Sequence, residues 1–159
     1  MGNTAKQCSC MVSETHSLNE FNVEVTRFAR KLMPCADHSV MVVLSGDLGV
    51  GKTTFVQAVA RALGIQEPVR SPTFIIMQIF ELPAPAQSGF ARFIHIDAYR
   101  LKHAGELEML GWGELIADPR NLIFMEWPEQ VLGAVPEWAQ KVTLGGDGDT
   151  RRITYGSDS

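Results

Sequence analysis

The chain has 159 residues, of which 45% are hydrophobic and 20% are charged, and its formal net charge is −4. The length suits one domain and the composition is that of a globular protein, which excludes a disordered chain and a coiled coil. No apolar stretch approaches the roughly 18 residues that a membrane span requires, and the acidic balance gives no sign of broad nucleic-acid binding. The N-terminal residues lack the apolar core of a signal peptide, so we expect a cytoplasmic protein.

The first half of the chain predicts two helices around one buried strand. Ser17 opens a capping box, and apolar residues recur at helical spacing through residues 18–32. An uninterrupted apolar run over residues 40–44 favours a strand covered on both faces, as in a parallel sheet. A glycine-rich turn over residues 46–53 then leads to a second helix over residues 55–63.

The second half of the chain predicts strands, a short helix and a closing hairpin. In order, these are strands over residues 73–80 and 90–96, a helix over 106–110, a strand over 122–125, and a hairpin of residues 138–144 and 151–155. The link between the first two strands has no helical pattern, so we expect them to be antiparallel neighbours. One domain is expected over residues 1–159, with residues 1–12 irregular or a short strand and residues 154–159 a tail.

A phosphate-binding loop is the strongest functional signal in the sequence. The segment Gly46-Asp47-Leu48-Gly49-Val50-Gly51-Lys52-Thr53 matches G-x-x-x-x-G-K-[ST], the P-loop or Walker A motif, at every position. Its glycines allow backbone N–H groups to curl around a phosphate, and the following helix adds its own unpaired N–H groups. Lys52 would reach the β- and γ-phosphates, and the Thr53 hydroxyl would bind Mg²⁺. The segment predicts nucleotide binding.

The fold expected around this loop is α/β. It is a single-domain, P-loop NTPase-like fold of three layers, with a mostly parallel sheet plus antiparallel strands. Such a protein also needs an acidic residue at a neighbouring strand end to hold Mg²⁺. Asp97 follows one apolar strand and Glu126 follows another, and Glu126 is the closer match to the Walker B form, although Glu replaces the usual Asp. An ordinary strand-end carboxylate is the structural alternative for both residues.

The cysteines do not form a disulfide framework, because their number is odd. Cys8, Cys10, Cys35 and His16 could together hold zinc, but their spacing is not that of a known zinc ribbon. Buried or simply reduced cysteines are the favoured interpretation.

Four segments together resemble one family. They are the P-loop with the Thr54 and Phe55 that follow it, Ser71-Pro72-Thr73-Phe74, His95-Ile96-Asp97-Ala98-Tyr99-Arg100-Leu101, and Met125-Glu126-Trp127-Pro128-Glu129. In this order and spacing they resemble the TsaE family, formerly YjeE, the small bacterial ATPases of tRNA threonylcarbamoyladenosine (t6A) biosynthesis. The resemblance covers residues 17–128 and implies ATP and Mg²⁺ as ligands. It also implies a P-loop α/β sheet interrupted by antiparallel strands.

The resemblance implies roles for individual residues. Lys52, Asp97 and Glu126 would be catalytic, and Thr53 and Glu126 would hold the metal. The nucleotide would contact the P-loop residues Asp47, Leu48, Gly49, Val50, Gly51, Lys52, Thr53 and Thr54, together with Thr73 and Trp127. Thr73 would lie near the γ-phosphate, in a segment that acts like a switch region.

The resemblance also implies protein partners. The family's ATPase works on a TsaB–TsaD-type complex that performs the transfer itself, so tRNA would be involved only indirectly and a membrane not at all. ATP turnover would allow repeated cycles of that complex. No arginine lies in a motif that would supply a charge in cis to the γ-phosphate, and Arg70 and Arg100 are the nearest candidates. We therefore expect an ATPase that is slow alone and faster with its partner.

Two other functions remain open at this point. A small-metabolite kinase could use the same loop, with Asp97 and Arg100 orienting an acceptor hydroxyl, although Arg151 and Arg152 make a poor lid. A nucleotide-gated binding module without useful turnover is the third possibility. The chain has no Asn-Lys-x-Asp motif, which argues against a guanine-specific GTPase.

Overall fold

Apolar strands occupy the middle of a seven-stranded sheet in the computed structural model, which describes residues 10–83 and 88–156. The strands are β1 (Met11–Thr15), β2 (Val40–Ser45), β3 (Met77–Glu81), β4 (Arg92–Asp97), β5 (Asn121–Glu126), β6 (Gln140–Asp147) and β7 (Thr150–Tyr155). The helices are α1 (Leu18–Ala29), α2 (Lys52–Ala62), α3 (Gly105–Glu108) and α4 (Trp112–Ala117), and 3₁₀ turns cover Pro128–Ala134. The order across the sheet is β1-β7-β6-β2-β5-β4-β3.

The centre of the sheet is parallel and its margins are antiparallel. Strand β2 pairs in parallel with β5 and β6, and β4 pairs in parallel with β5. The pairs β1–β7, β6–β7 and β3–β4 are antiparallel. Every residue of β5 is buried, and so is every residue of β2 except Ser45. These pairings confirm the α/β fold, the antiparallel neighbours β3 and β4, and the closing hairpin.

Helices cover both faces of the sheet, and the alternation of side chains along β5 divides the core accordingly. Phe124 faces α1 and α2 and packs with Phe21 and Phe55 in one apolar cluster. Met125 faces the other side and packs with Trp112 of α4 in a second cluster. The three-layer arrangement is therefore confirmed.

Some element boundaries differ from those predicted. Helix α1 ends at Ala29, and α2 begins at Lys52, directly at the end of the P-loop. Strand β3 begins at Met77, because the amides of Ile75 and Ile76 both donate to Pro72 O in a turn, 3.2 and 2.6 Å away.

Other elements were missed or misplaced. The sequence pattern did not predict α4, the 3₁₀ turns or the extent of β1. The expectation of a tail from residue 154 was wrong for residues 154–155, because these two residues pair with β1 and β6. Cys8 and the other residues of 1–9 lie outside the described part of the chain.

The sheet topology brings the chain segments that follow three parallel strands to one edge. The carboxyl ends of the parallel strands β2, β5 and β4 meet there, with Leu44 opposite Glu126 and Asp97 opposite Glu126 in the register. Ligands of open α/β sheets bind at this edge. Within residues 10–83 and 88–156, no helix is long and apolar enough to cross a membrane.

Candidate functional site

The P-loop connects β2 to α2, and two of its glycines show why the loop needs this residue. Gly46 has a φ of +149°, and a Cβ there would lie 2.5 Å from Leu144 O and 2.9 Å from Val50 Cγ1. Gly51 caps α2 with a φ of +115°. Residues with a side chain are strained at such angles. Because α2 begins at Lys52, its first N–H groups have no intrahelical partners and are available to a phosphate.

A cleft of about 290 Å³ lies beside this loop. Its lining consists of Leu48, Gly49, Gly51, Lys52, Thr53, Thr54, Ser71, Thr73, Asp97, Tyr99, Glu126 and Trp127. The three predicted catalytic residues, both predicted metal ligands and most predicted nucleotide contacts are in this set. Asp47 and Val50 are not, since the Val50 side chain is buried and Asp47 is exposed outside the cleft.

The Lys52 ammonium lies inside the loop and is only 4% exposed. Its Nζ donates to Gly46 O at 2.6 Å and to Asp47 O at 2.8 Å. It also lies 3.9 Å from the centre of the Trp127 ring, a favourable cation–π distance. Burial lowers the pKa of Lys52, against the opposing effect of nearby carboxylates led by Glu126. The backbone of the P-loop thus fixes the position of the Lys52 ammonium beside the cleft.

Thr53 and Glu126 form the oxygen pair predicted to hold a metal. The Thr53 hydroxyl lies 3.0 Å from Glu126 Oε1 and 3.1 Å from Oε2. On its other side, Oε1 lies 2.7 Å from Nε2 of His95, a side chain that is fully buried. A hydroxyl and a carboxylate at the rim of a cleft are hard oxygen donors of the kind that Mg²⁺ prefers.

Asp97 has a different set of partners from Glu126. Its Oδ2 accepts hydrogen bonds from the hydroxyls of Ser71 and Thr73, both at 2.8 Å, and these two hydroxyls also lie 2.8 Å apart. Its Oδ1 accepts from the backbone N–H of Tyr99 at 2.9 Å. Asp97 therefore fixes the segment after α2, whereas Glu126 contacts the P-loop helix.

Trp127 follows Glu126 directly and closes one wall of the cleft. Its φ of +59° is uncommon for a residue with a large side chain, and its N–H donates to Leu44 O at 3.3 Å. The Trp127 ring lies 5.0 Å from the Tyr99 ring. The left-handed conformation turns the side chain from the strand direction towards Lys52.

A second hollow of about 160 Å³ adjoins the cleft and shares Gly49, Gly51 and Thr54 with it. Its other walls are Ser17, Leu18, Phe21, Val50, Asp149 and Arg151. Arg151 is held in place because its Nη1 donates to Gly148 O at 2.6 Å and to Thr150 O at 2.9 Å. The hollow thus joins the start of α1 to the β6–β7 hairpin beside the P-loop.

The remaining candidate residues lie elsewhere. Arg70 and Arg100 are exposed and do not line the cleft, and the Arg100 guanidinium lies 4.5 Å from the Phe74 ring. Among the residues that the structure describes, no group of three or more His, Cys, Asp or Glu could hold a metal ion. Cys35 instead lies 3.7 Å from His38 Nε2.

Sequence reasoning missed several residues that complete this site. His95, Ser71 and Tyr99 were noted only as parts of motifs, and Arg151 was considered only as part of a lid. For His95 a local signal exists, because it is a polar residue in an apolar strand and stands two positions before Asp97, on the same face. For Arg151 no local signal exists, since only the sheet order brings β7 near the P-loop.

Comparisons with known proteins agree on one family. The family model described as "Threonylcarbamoyl adenosine biosynthesis protein TsaE" matches residues 20–153. The tRNA threonylcarbamoyladenosine biosynthesis protein TsaE of Bacillus subtilis is 32% identical over 136 residues, which are 84% of this chain and 80% of that protein. The protein of the same name from Haemophilus influenzae is 30% identical over 128 residues, 80% of this chain and 77% of the relative.

A shorter match and a solved structure extend these findings. TsaE of Borreliella burgdorferi is 39% identical over 95 residues, which are 60% of this chain and only 64% of that protein. The crystal structure of Bacillus subtilis YdiB has the same fold, with a TM-score of 0.72 and 24% identity. That superposition covers 95% of this chain and 87% of YdiB.

Proposed function

Because this chain belongs to the TsaE family of tRNA threonylcarbamoyladenosine biosynthesis proteins, we propose that its cleft binds ATP with Mg²⁺ and hydrolyses the nucleotide. The observation that carries the proposal is the convergence of Lys52, Thr53 and Glu126 on one cleft at the end of the P-loop. Each would meet a different requirement of phosphoryl transfer. Lys52 would neutralise phosphate charge, and Thr53 and Glu126 would hold the metal from the P-loop helix and from the neighbouring strand.

The donor set of this cleft fits the metal. The Thr53 hydroxyl and the Glu126 carboxylate offer oxygen atoms within 3.1 Å of each other, and Mg²⁺ prefers such ligands. When bound, the ion would neutralise charge on the phosphate oxygens during hydrolysis. Thr53 and Glu126 would hold it, and Lys52 would leave its backbone carbonyls to contact the β- and γ-phosphates.

Asp97 and Thr73 would act at the γ-phosphate side of the cleft. Asp97 Oδ2 orients the hydroxyls of Ser71 and Thr73, both 2.8 Å away. Each hydroxyl has one hydrogen to donate, so Thr73 would turn its O–H from Asp97 towards a phosphate while Ser71 keeps its bond to Asp97, and such a rearrangement would order a switch segment around its nucleotide. Asp97 would thereby support hydrolysis, and Trp127 would contact the nucleotide from the opposite wall.

The adjoining hollow would receive the nucleoside. Thr54 lines both the cleft and the hollow, so a phosphate chain held by Lys52 and Thr53 would lead past Thr54 into the hollow. The start of α1 and Arg151 would then contact the base and the sugar. This arrangement would make the β6–β7 hairpin part of the nucleotide site.

The partner of this ATPase would be a TsaB–TsaD-type complex in the cytoplasm, with tRNA involved only indirectly. Apolar side chains are exposed on the P-loop and on the segment that follows Thr73. Leu48 is 78% exposed, Phe74 is 84% exposed and Ile75 is 61% exposed. Exposed apolar groups of this kind suit a protein surface. Binding there would be sensitive to nucleotide and would raise a slow basal turnover.

A direct test uses calorimetry and a turnover assay together. We expect binding of an ATP analogue in the presence of Mg²⁺, slow hydrolysis by the protein alone, and faster hydrolysis with a TsaB–TsaD complex. Binding to that complex should be stronger with the ATP analogue than with ADP or without nucleotide. Equal binding in all three states together with fast unaided turnover would contradict the proposal.

The kinase alternative is not favoured by the geometry. Arg151 is bonded to carbonyls of its own hairpin, and Arg152 Nη2 pairs with Glu14 Oε2 at 3.3 Å, so neither is arranged as a lid. Phosphate transfer to a small molecule in the same assay would revive that alternative.

A further inference from the structure

His95 is a buried polar side chain directly beneath the proposed metal pair. It lies in β4, its side chain is 0% exposed, and its Nε2 is 2.7 Å from Glu126 Oε1. A polar group in the core costs free energy unless it is hydrogen-bonded. The partner of His95 is therefore the feature that explains its position.

The surrounding hydrogen bonds identify the donor in this pair. The Thr53 hydroxyl already donates towards the Glu126 carboxylate, and an ionised carboxylate only accepts. His95 Nε2 must then carry the proton. Nδ1 of the same ring is buried and has no hydrogen-bond partner in the described part of the chain. The bond between Nε2 and Glu126 is therefore the one hydrogen bond that the described residues give this side chain.

We propose that His95 is a positioning residue for the metal-holding carboxylate. Its Nε2–H fixes Oε1 of Glu126, which leaves Oε2 free of any described partner except Thr53 and available to the cation. This inference rests on the proposed function, because it assigns His95 to the Mg²⁺ pair. Partners that orient a metal-binding carboxylate typically contribute 10- to 100-fold to metal affinity or activity.

A core histidine that merely fills space would behave differently when replaced. His95→Leu keeps much of the volume and removes the donor. His95→Gln keeps an amide donor at a reach similar to that of Nε2, whereas His95→Asn carries the same amide on a shorter side chain. A positioning role predicts that Gln restores metal binding and Asn does not, whereas a packing role predicts a loss of stability without a loss of metal affinity.

The experiment measures metal binding directly, with Mn²⁺ as the probe. Electron paramagnetic resonance gives the Mn²⁺ affinity of the full chain saturated with ADP, and calorimetry in EDTA gives metal-free ADP binding. We expect His95→Leu and His95→Asn to weaken Mn²⁺ binding about 10- to 100-fold, with metal-free ADP binding within about threefold of wild type. His95→Gln should recover Mn²⁺ affinity to within about threefold of wild type.

Several outcomes would overturn the proposal. Wild-type Mn²⁺ affinity in His95→Leu would do so, as would a Gln variant as weak as Leu, or equal losses in metal-free ADP binding. Should the Leu variant fail to fold, the comparison of Gln with Asn decides in the same way.

Glu126→Gln separates this inference from the proposed function. If it leaves Mn²⁺ affinity unchanged, the metal pair itself is wrong and His95 has nothing to position. If Glu126→Gln weakens Mn²⁺ binding and the His95 variants do not, the metal pair stands and only the role of His95 is refuted. A double-mutant cycle of unfolding free energies for His95→Leu and Glu126→Gln should show coupling even without nucleotide.

Discussion

Replacing Lys52 by Met tests the P-loop assignment because it should separate nucleotide binding from folding. Met has a similar length and carries no charge. In the structure, the Lys52 ammonium donates to Gly46 O and Asp47 O and lies over the Trp127 ring. Burial nevertheless lowers the pKa of Lys52 below its ordinary value. A pKa that is lower in the folded state means that protonation favours the unfolded chain, so the charged lysine costs stability at neutral pH.

The effects of Lys52→Met on stability and on nucleotide binding should therefore differ in size. Loss of two hydrogen bonds from a charged donor, each worth about 1.5–3 kcal/mol, is offset by removal of a buried charge, so the free energy of unfolding should change by less than about 1 kcal/mol. Nucleotide binding loses a charge-assisted phosphate contact worth about 1.5–3 kcal/mol, which is about 10- to 150-fold in affinity. Wild-type stability should also rise as the pH approaches 10.5, the ordinary pKa of lysine, and the variant should lack this rise.

Urea denaturation followed by tryptophan fluorescence and calorimetry with an ATP analogue measure the two quantities. Lys31→Met is the matched control, since Lys31 is exposed and does not line the cleft. Wild-type nucleotide affinity in Lys52→Met would refute the assignment of this loop. Destabilisation beyond about 2 kcal/mol without nucleotide would refute the argument that burial dominates at this lysine.

Three further predictions follow from the site and the sheet. Glu126→Gln should reduce ATP turnover by at least about 100-fold and nucleotide affinity far less, because the charge on the metal matters most in the transition state. If this variant kept its turnover and Asp97→Ala lost its Mg²⁺ dependence, the roles of the two acids would be the reverse of those proposed. Arg151→Ala should weaken binding of an ATP analogue about tenfold, roughly 1.4 kcal/mol, because the hollow would hold the nucleoside. Binding of inorganic triphosphate should stay unchanged, and equal losses for both ligands in calorimetry would contradict this prediction. The hydrogen bonds from Arg120 hold the pKa of Asp118 well below its usual range. The stabilisation that the ionised Asp118 gives the fold is therefore present above pH 3.8 and lost as the pH falls from there. In urea denaturation at a series of acidic pH values, the free energy of unfolding of Asp118→Asn should fall less steeply with falling pH than that of the wild type.

The parts of the site that the sequence could predict are those with a local cause. Glu126 ends an apolar run that only a buried parallel strand explains, and its position after β5 follows from that run. Lys52 and Thr53 are fixed by the spacing of the P-loop glycines. The structure brings these residues together because the carboxyl ends of parallel strands share an edge, which is a general property of the fold.

The parts that the sequence could not predict depend on contacts between distant segments. The segment over residues 73–80 is mostly apolar and was expected to be a strand, yet Ile76 adopts a φ of +67°. Its turn is set by Asp97, which lies more than twenty positions later and binds Ser71 and Thr73. Likewise, Arg151 reaches the P-loop only because β6 lies beside β2 and β7 lies beside β6, an order that no local pattern encodes.

The arrangement of the two acids links the metal pair to the exposed surface. Asp97 and Glu126 are directly opposite each other on adjacent strands, so their charges interact across one strand spacing. Their donors come from different places, because Thr53 on the P-loop helix serves Glu126 while the hydroxyl of Thr73 serves Asp97. A cation at Glu126 would therefore change the electrostatic balance at Asp97, the acceptor that fixes the turn leading to Phe74. Phe74 is 84% exposed, so a change at the phosphate end of the cleft would alter, through Asp97 and this turn, a surface that a partner protein could bind.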